Sequence, residues 1–418
     1  MMQSRCGWAL VLALLGLPVL ADEPAPMAGL VAKAETNPSS LAETGPKPNP
    51  IEPLPPEAIE ASIRRGVDFL VTHQNKNGSW GSANSLRAIE LYAPIPGAHL
   101  AFRAAVTSMC VMALCETASG EPAAEKAIDR GEGWLIANLP QVRRPSVDTL
   151  YNCWSHAYAI QALVKLLERK PEDIERAKKL RELIKQQIEM LVRYEYVGGG
   201  WSYYEFKAHT QKPSDVTFPF MTATVLVAFH EATRVGIEPP KDVVERAMDS
   251  IRRQRRPDYS ILYGEHFRFR PGSSINQPGG ALARVQSCNI AMRLWGDTSV
   301  TDKIVETWLD RLFARNMWLD IGRKRPMPHE TWFKVSGYFF YFGYYYGARC
   351  MELLPEQERP HFQQHMAVIL VRLQEKDGAW WDFPLYDYHK QYGTAYALMA
   401  LQRTLPKRST ATAGKAAS

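Results

Sequence analysis

"THQNKNGSWG" (residues 72–81) and "RLQEKDGAWW" (residues 372–381) share one pattern: Gln, three residues, Gly, one residue, Trp. The matching positions are Gln74, Gly78 and Trp80, then Gln374, Gly378 and Trp380. A third copy in "EYVGGGWSYY" has Glu195, Gly199 and Trp201, with Glu in place of Gln. Glycine admits the left-handed residue that stops a helix. The long side chain can satisfy backbone groups that an ended helix leaves unpaired, and the indole can lie across neighbouring helix ends. These residues read as structural punctuation between two helices, with no chemistry of their own.

The flanking segments support that reading. Upstream segments carry one apolar stripe: Ile59, Ile63, Val67, Leu70; Leu180, Ile184, Ile188, Leu191; Phe362, Met366, Leu370, Leu373. Such spacing predicts helices with one face on a core and one in water. Residues 123–138, 240–255 and 300–315 resemble them more loosely. Between them lie segments that are apolar or small nearly all round: 103–118, 155–167, 221–233, 281–295, 335–354 and 392–402. A helix that is apolar on every side is buried on every side. Six exposed helices alternating with six buried ones predict an all-α fold of six hairpins, whose second helices form an inner ring. A linear solenoid is the alternative, but no polar capping repeat stands at either end.

The Gln-Gly-Trp punctuation followed by a small-residue-rich helix resembles the prenyltransferase/squalene-cyclase repeat. That resemblance spans about residues 57–405 and implies an α6/α6 toroid, the architecture of terpenoid cyclases and of protein prenyltransferase β-subunits. It also implies a ligand taken at the mouth formed by one end of the inner helices. The acid motif of protonating cyclases is absent: "FPFMTA" (218–223) keeps Thr222 and Ala223 but holds no aspartate, and Asp215 lies two turns earlier, where it is equally a helix cap. The prenyltransferase zinc site is incomplete. "DYHKQYGTAYAL" places His389 and "QSC" places Cys288, but Gln286 stands where a carboxylate belongs. An amide is a poor zinc ligand, and thiolate plus one imidazole falls short of three protein ligands. No metal or cofactor is therefore expected.

The candidate ligand-binding residues are Arg103, Tyr151, Trp154, Phe218, Arg284, Trp332, Tyr338 and Tyr392, at or near inner-helix starts. The candidate catalytic residues are His156, Asp215, Glu330, Asp387 and His389, with no role assigned among them. Rings in that number suit an aromatic-lined cavity for an elongated apolar ligand such as an isoprenoid. Aromatic plates with His, Arg and Tyr also suit a glycan, and secreted toroids of this architecture include polysaccharide lyases and hydrolases. A glycosidase needs two carboxylates, and Glu330 with Asp387 or Asp382 is the pair available. A third reading is a non-catalytic interaction scaffold. Residues 263–280, rich in Gly and Pro, read as a long loop over one end.

The remaining features bound the setting. Arg5, the apolar run "WALVLALLGLPVL" and the small residues before Asp22 predict an export signal, residues 1–21, cleaved after Ala21. Residues 22–56 read as a Pro-rich linker, 57–405 as the toroid and 406–418 as a flexible tail. Cys110, Cys115, Cys153, Cys288 and Cys350 are odd in number and sit in helical patterns, so they read as buried small hydrophobes and not as a disulfide framework. The net charge of +6 is mild, and the clusters at 252–256 and 323–325 accompany no nucleic-acid motif. The expected partners are an apolar small molecule or a glycan, with room for peripheral membrane contact and none for nucleic acid. No oligomeric state is assigned.

Overall fold

The structure, a computed structural model, describes residues 38–87, 98–143, 153–202 and 216–406. The export signal, residues 22–37 of the linker, Tyr151, Asp215 and nearly all of the tail lie outside the described residues.

Fourteen α-helices are described: α1 (Pro38–Glu43), α2 (Pro56–Thr72), α3 (His99–Thr117), α4 (Pro122–Asn138), α5 (Trp154–Arg169), α6 (Ile174–Arg193) and α7 (Pro219–Thr233). They continue as α8 (Lys241–Gln254), α9 (Pro278–Leu294), α10 (Asp302–Ala314), α11 (Met317–Asp320), α12 (Phe339–Met351), α13 (Arg359–Arg372) and α14 (His389–Gln402). Proline opens several of them, including α2, α4, α7 and α9, where its missing N–H costs nothing.

The six apolar segments are α3, α5, α7, α9, α12 and α14. Each packs on the next, and α14 returns to α3. That last contact closes the ring and rules out the solenoid. Helices α2, α4, α6, α8, α10 and α13 pack outside it, so the fold is an α6/α6 toroid. Helix α3 is long and apolar enough to cross a membrane, but it is buried in the inner ring.

The repeated motif builds the same corner three times. The indole N–H of Trp80, Trp201 and Trp380 donates to the carbonyl of Leu70, Leu191 and Leu370 at 2.7, 2.8 and 2.8 Å. Their backbone N–H groups donate to Thr107, Thr222 and Thr394 on the following inner helix. Gln74 donates to the carbonyls of Gly78 and Ala127, both at 2.8 Å, and Arg130 of the next outer helix donates to its oxygen at 2.9 Å. Glu195 cannot donate as Gln does; instead its two oxygens take Arg246 in a fork, both at 2.8 Å. A fourth corner, Arg255–Ile261, has the same bridge with Tyr259 at the glycine position (φ 60°) and no tryptophan of its own. Trp308 from α10 donates to its Asp258 carbonyl instead.

The toroid is closed at one end and in the middle. At the end with short connections, Glu116 of α3 meets Lys165 at 2.7 Å and Arg403, and Glu231 of α7 meets Arg349 at 2.6 Å. Burial pushes the Glu116 carboxyl up, but the Arg403 and Lys165 charges outweigh it and bring it down to about 2. At mid-height the hydroxyl of Tyr158 meets those of Tyr396 and Tyr346, and Tyr346 donates to Thr224 at 3.1 Å. Four inner helices thus fill the axis with hydrogen-bonded side chains.

Part of the expected linker is docked. Residues 44–55 form no regular element, as the composition implies, but Arg311 of α10 donates to the carbonyls of Leu41 and Thr44 at 3.1 and 2.7 Å. The amide of Leu54 donates to Gln364 at 3.1 Å. The five cysteines among the described residues are free thiols, four of them buried and Cys115 half-buried.

Candidate functional site

The two ends of the toroid differ in their connections. At the inner-helix C-termini the links 118–121, 170–173, 234–240, 295–301 and 352–358 are short. At the inner-helix N-termini the links 73–98, 255–277, 315–338 and 373–388 are long and hold the unusual backbone. Every non-glycine residue with positive φ among the described residues lies there: Tyr259, Lys324, His329, Lys334 and Tyr386. Such conformations cost on the order of 1–3 kcal/mol each and gather at functional sites.

At this end the inner helices and the 255–277 loop build an aromatic box. Phe220 of α7 meets Phe339 of α12 edge-on at 5.0 Å, and Tyr263 from the 255–277 loop sits 5.4 Å from Phe218 and 5.6 Å from Phe220. Tyr263 is held by its amide, which donates to Asn276 at 2.9 Å. Its hydroxyl faces Nε2 of His329 at 3.3 Å, and His329 Nδ1 bonds the Lys334 carbonyl at 2.6 Å. A carbonyl only accepts, so Nδ1 carries the proton and Nε2 is left as an acceptor toward the phenol. Burial holds the His329 imidazole below its usual range, which keeps it neutral at pH 7.

A second group lies where α14 meets α3. His99 meets Tyr386 edge-on at 4.6 Å, and its Nδ1 is 3.4 Å from the Tyr388 hydroxyl. Burial pushes the Tyr388 phenol up to about 12, partly offset by Arg103, which hydrogen-bonds it. The Arg103 Nε is buried with no partner among the described residues.

The remaining candidates fall into three places. Phe218, Trp154 and Tyr338 lie at inner-helix starts, Phe218 buried and the other two half-buried, with Tyr338 5.4 Å from Phe383. Trp332 stands on the rim and is 78% exposed, and Glu330 beside it is exposed and 3.9 Å from Arg325. Other candidates are tied into the framework. His156 faces the outer ring, bonded to Gln187 of α6 at 2.6 Å, and burial holds it down at about 4. Arg284 is fully buried and donates to the carbonyls of Gly280, Ile275 and Ile261. Tyr392 donates to Asp382 at 2.6 Å. Asp382 is fully buried, and burial pushes it up to about 7. Asp387 accepts from Ser82 at 3.0 Å.

His389 bonds the Tyr386 carbonyl at 3.1 Å, and burial pushes it down to about 4. Burial pushes the Cys288 thiol up to about 12, away from the thiolate that zinc needs. Among the described residues no three His, Cys, Asp or Glu side chains surround one point. Sequence reasoning missed Tyr263, His99, Tyr386 and Tyr388 as site residues. The only signal for Tyr263 was its place in a long loop; its partner His329 lies far along the chain.

No family model matches the sequence, and no curated protein matches it. Solved structures do match in fold. An α-1,6-mannanase variant from Salegentibacter sp., in complex with α-1,6-mannotriose, is 10% identical with a TM-score of 0.51, covering 83% of this chain and 98% of that one. Cellobiose 2-epimerase from Bacillus thermoamylovorans is 9% identical with a TM-score of 0.51, covering 83% and 100%. The type II terpene cyclase MstE from Scytonema is 12% identical with a TM-score of 0.49, covering 84% and 98%. At these identities the likeness of the mannanase and the epimerase shows the fold alone: the chain is an α/α toroid protein of the architecture that the repeat motif implies.

Proposed function

We propose that this protein is exported and takes an elongated apolar ligand, isoprenoid- or lipid-like, into the long-loop end of the toroid. One observation carries the reading. The buried box of Phe218, Phe220, Tyr263 and Phe339 lies at the end of the toroid whose long connections carry exposed apolar side chains, which supports an apolar site there. The tyrosine layer sets its depth, so the ligand occupies the upper half of the toroid and not its full axis. No reaction is assigned.

A glycan is the second reading, favoured by the Tyr263–His329 pair and the exposed Trp332. Against it, two of the candidate carboxylates are engaged: Asp382 is buried against Tyr392 and the start of α12, and Asp387 is tied to Ser82. A non-catalytic scaffold would need neither ligand.

Mass spectrometry of solvent extracts from natively purified protein tests the three. A retained isoprenoid or acyl chain, lost in the Phe339→Asp variant and weakened in the milder Phe218→Ala, is the expected result. Oligosaccharide binding without any such retention would replace the first reading with the second, and binding of neither would leave the scaffold.

A further inference from the structure

Of the nine exposed large apolar side chains among the described residues, Leu41, Ile174 and Val197 stand apart and the other six lie on three connections. Leu86, Phe269, Met317, Ile321, Met327 and Trp332 are 48, 90, 64, 49, 49 and 78% exposed, and all lie on the long connections 73–98, 255–277 and 315–338. Those connections touch one another. Arg87 donates to the Pro326 carbonyl, and Tyr263 meets His329. They therefore form one face, and single exposed apolar residues in such a group mark an interaction surface.

The charge on this face selects the partner. Basic residues outnumber acidic ones in both the 255–277 and the 315–338 connections. Phe269, at the tip of its loop, is flanked by exposed Arg268 and Arg270, and Met327 follows the run Arg323, Lys324 and Arg325. Acidic side chains among them are paired: Glu265 with Arg253 and Arg268, Asp320 with Arg323, and Glu330 with Arg325, while Arg270 and Lys334 add to the basic excess. Apolar side chains set singly among arginines match a bilayer with anionic headgroups, where rings insert at headgroup depth and guanidinium groups meet phosphate.

The path of the chain agrees. Arg311 holds Leu41 and Thr44 and also reaches the Asp258 carbonyl, which belongs to the corner at this end. Leu41 and Thr44 therefore lie at the long-loop end of the toroid.

We infer that this face docks on an anionic lipid bilayer, with Phe269, Met327 and Trp332 entering the headgroup layer. The inference shares its face with the proposed ligand site but does not depend on it. Sedimentation of the mature protein with vesicles of phosphatidylcholine, with and without phosphatidylglycerol, provides the test. Binding is expected to the anionic vesicles and to weaken as salt shortens the screening length from about 10 Å at 0.1 M to about 3 Å at 1 M. Phe269→Glu and Trp332→Glu, both at exposed positions, are each expected to lower the bound fraction about tenfold. Arg268→Gln with Arg270→Gln is expected to remove the preference for anionic lipid.

Absence of binding to either vesicle overturns the inference. So does binding that the two glutamate variants leave intact, which would show attraction by charge without insertion. Ligand retention read in the same Phe269→Glu protein separates the two proposals: retained ligand with lost vesicle binding leaves both standing, and bound vesicles with no ligand remove only the ligand reading.

Discussion

A methyl group added at position 78 would lie 2.3 Å from the Arg130 carbonyl oxygen, in a residue whose φ of +92° already excludes most L side chains. Both terms oppose any residue but glycine, and the oxygen belongs to backbone that cannot step aside. Gly120 separates them: its φ is +90°, yet nothing lies within 4 Å of an added Cβ. Gly120→Ala is expected to cost about 1 kcal/mol, the conformational term alone, and Gly78→Ala at least about 3 kcal/mol, read as a shift in urea midpoint at constant slope. Equal costs at the two sites would show that the approach to Arg130 matters little. Gly78, Gly199 and Gly378 were legible in the sequence because a close backbone approach at positive φ favours glycine, and that requirement left a repeated letter. Tyr259 shows the converse. It occupies the same left-handed position, held by its hydroxyl on Ser299 at 2.7 Å and by Arg255 over its ring, so the fourth corner left no letter to find. His156 misled for a related reason: a lone histidine at an inner-helix start reads alike whether it faces the mouth or, as here, the outer ring.

Helices were legible where burial is uniform, since α3, α7 and α9 must be apolar on every face to sit between an axis and an outer ring. Their ends were less so, because distant groups complete them. Helix α12 has no side-chain cap of its own; its Tyr341 amide donates to Asp382, brought from the loop before α14, at 3.1 Å. That carboxyl is fully buried, and desolvation outweighs its hydrogen bonds from Tyr392 and Tyr341, raising it from 3.8 to about 7. A raised carboxyl binds its proton more tightly folded than unfolded, so stability is greatest below the unfolded value and falls as pH rises through the folded one. The chain is therefore expected to lose on the order of 3 kcal/mol between about pH 4 and pH 7 through this group. Asp382→Asn should flatten the dependence over that window in denaturant titrations at a series of pH values. An undiminished slope in the variant would locate the titration elsewhere.

Across the whole molecule, closure could be read from the count of hairpins, but the depth of the toroid could not. Tyrosines lining a cavity and tyrosines filling it share one pattern, and only the meeting of Tyr158, Tyr346 and Tyr396 from three helices distinguishes them. The toroid thus has the long loops at one end, the tyrosine layer at mid-height and, beyond it, the ion pairs of Glu116, Lys165, Arg349 and Glu231. Tyr158→Ala would remove a fully buried ring from the layer and leave the Tyr396 hydroxyl without its partner. A cost of about 3–5 kcal/mol is expected from large-to-small truncation, with part of it recoverable if a ligand fills the space. Tyr158→Phe keeps the ring and loses only the hydroxyl, at about 1–2 kcal/mol. If the mouth receives an elongated apolar ligand, the alanine variant should be stabilised more by a longer acyl or isoprenoid chain than by a shorter one, whereas the wild type and the phenylalanine variant should show no such gain. Thermal melts of the three proteins against a chain-length series measure this directly. A gain with length in the wild type would mean that the tyrosine layer does not limit depth, and no gain in any variant would mean that the ligand does not approach along the axis.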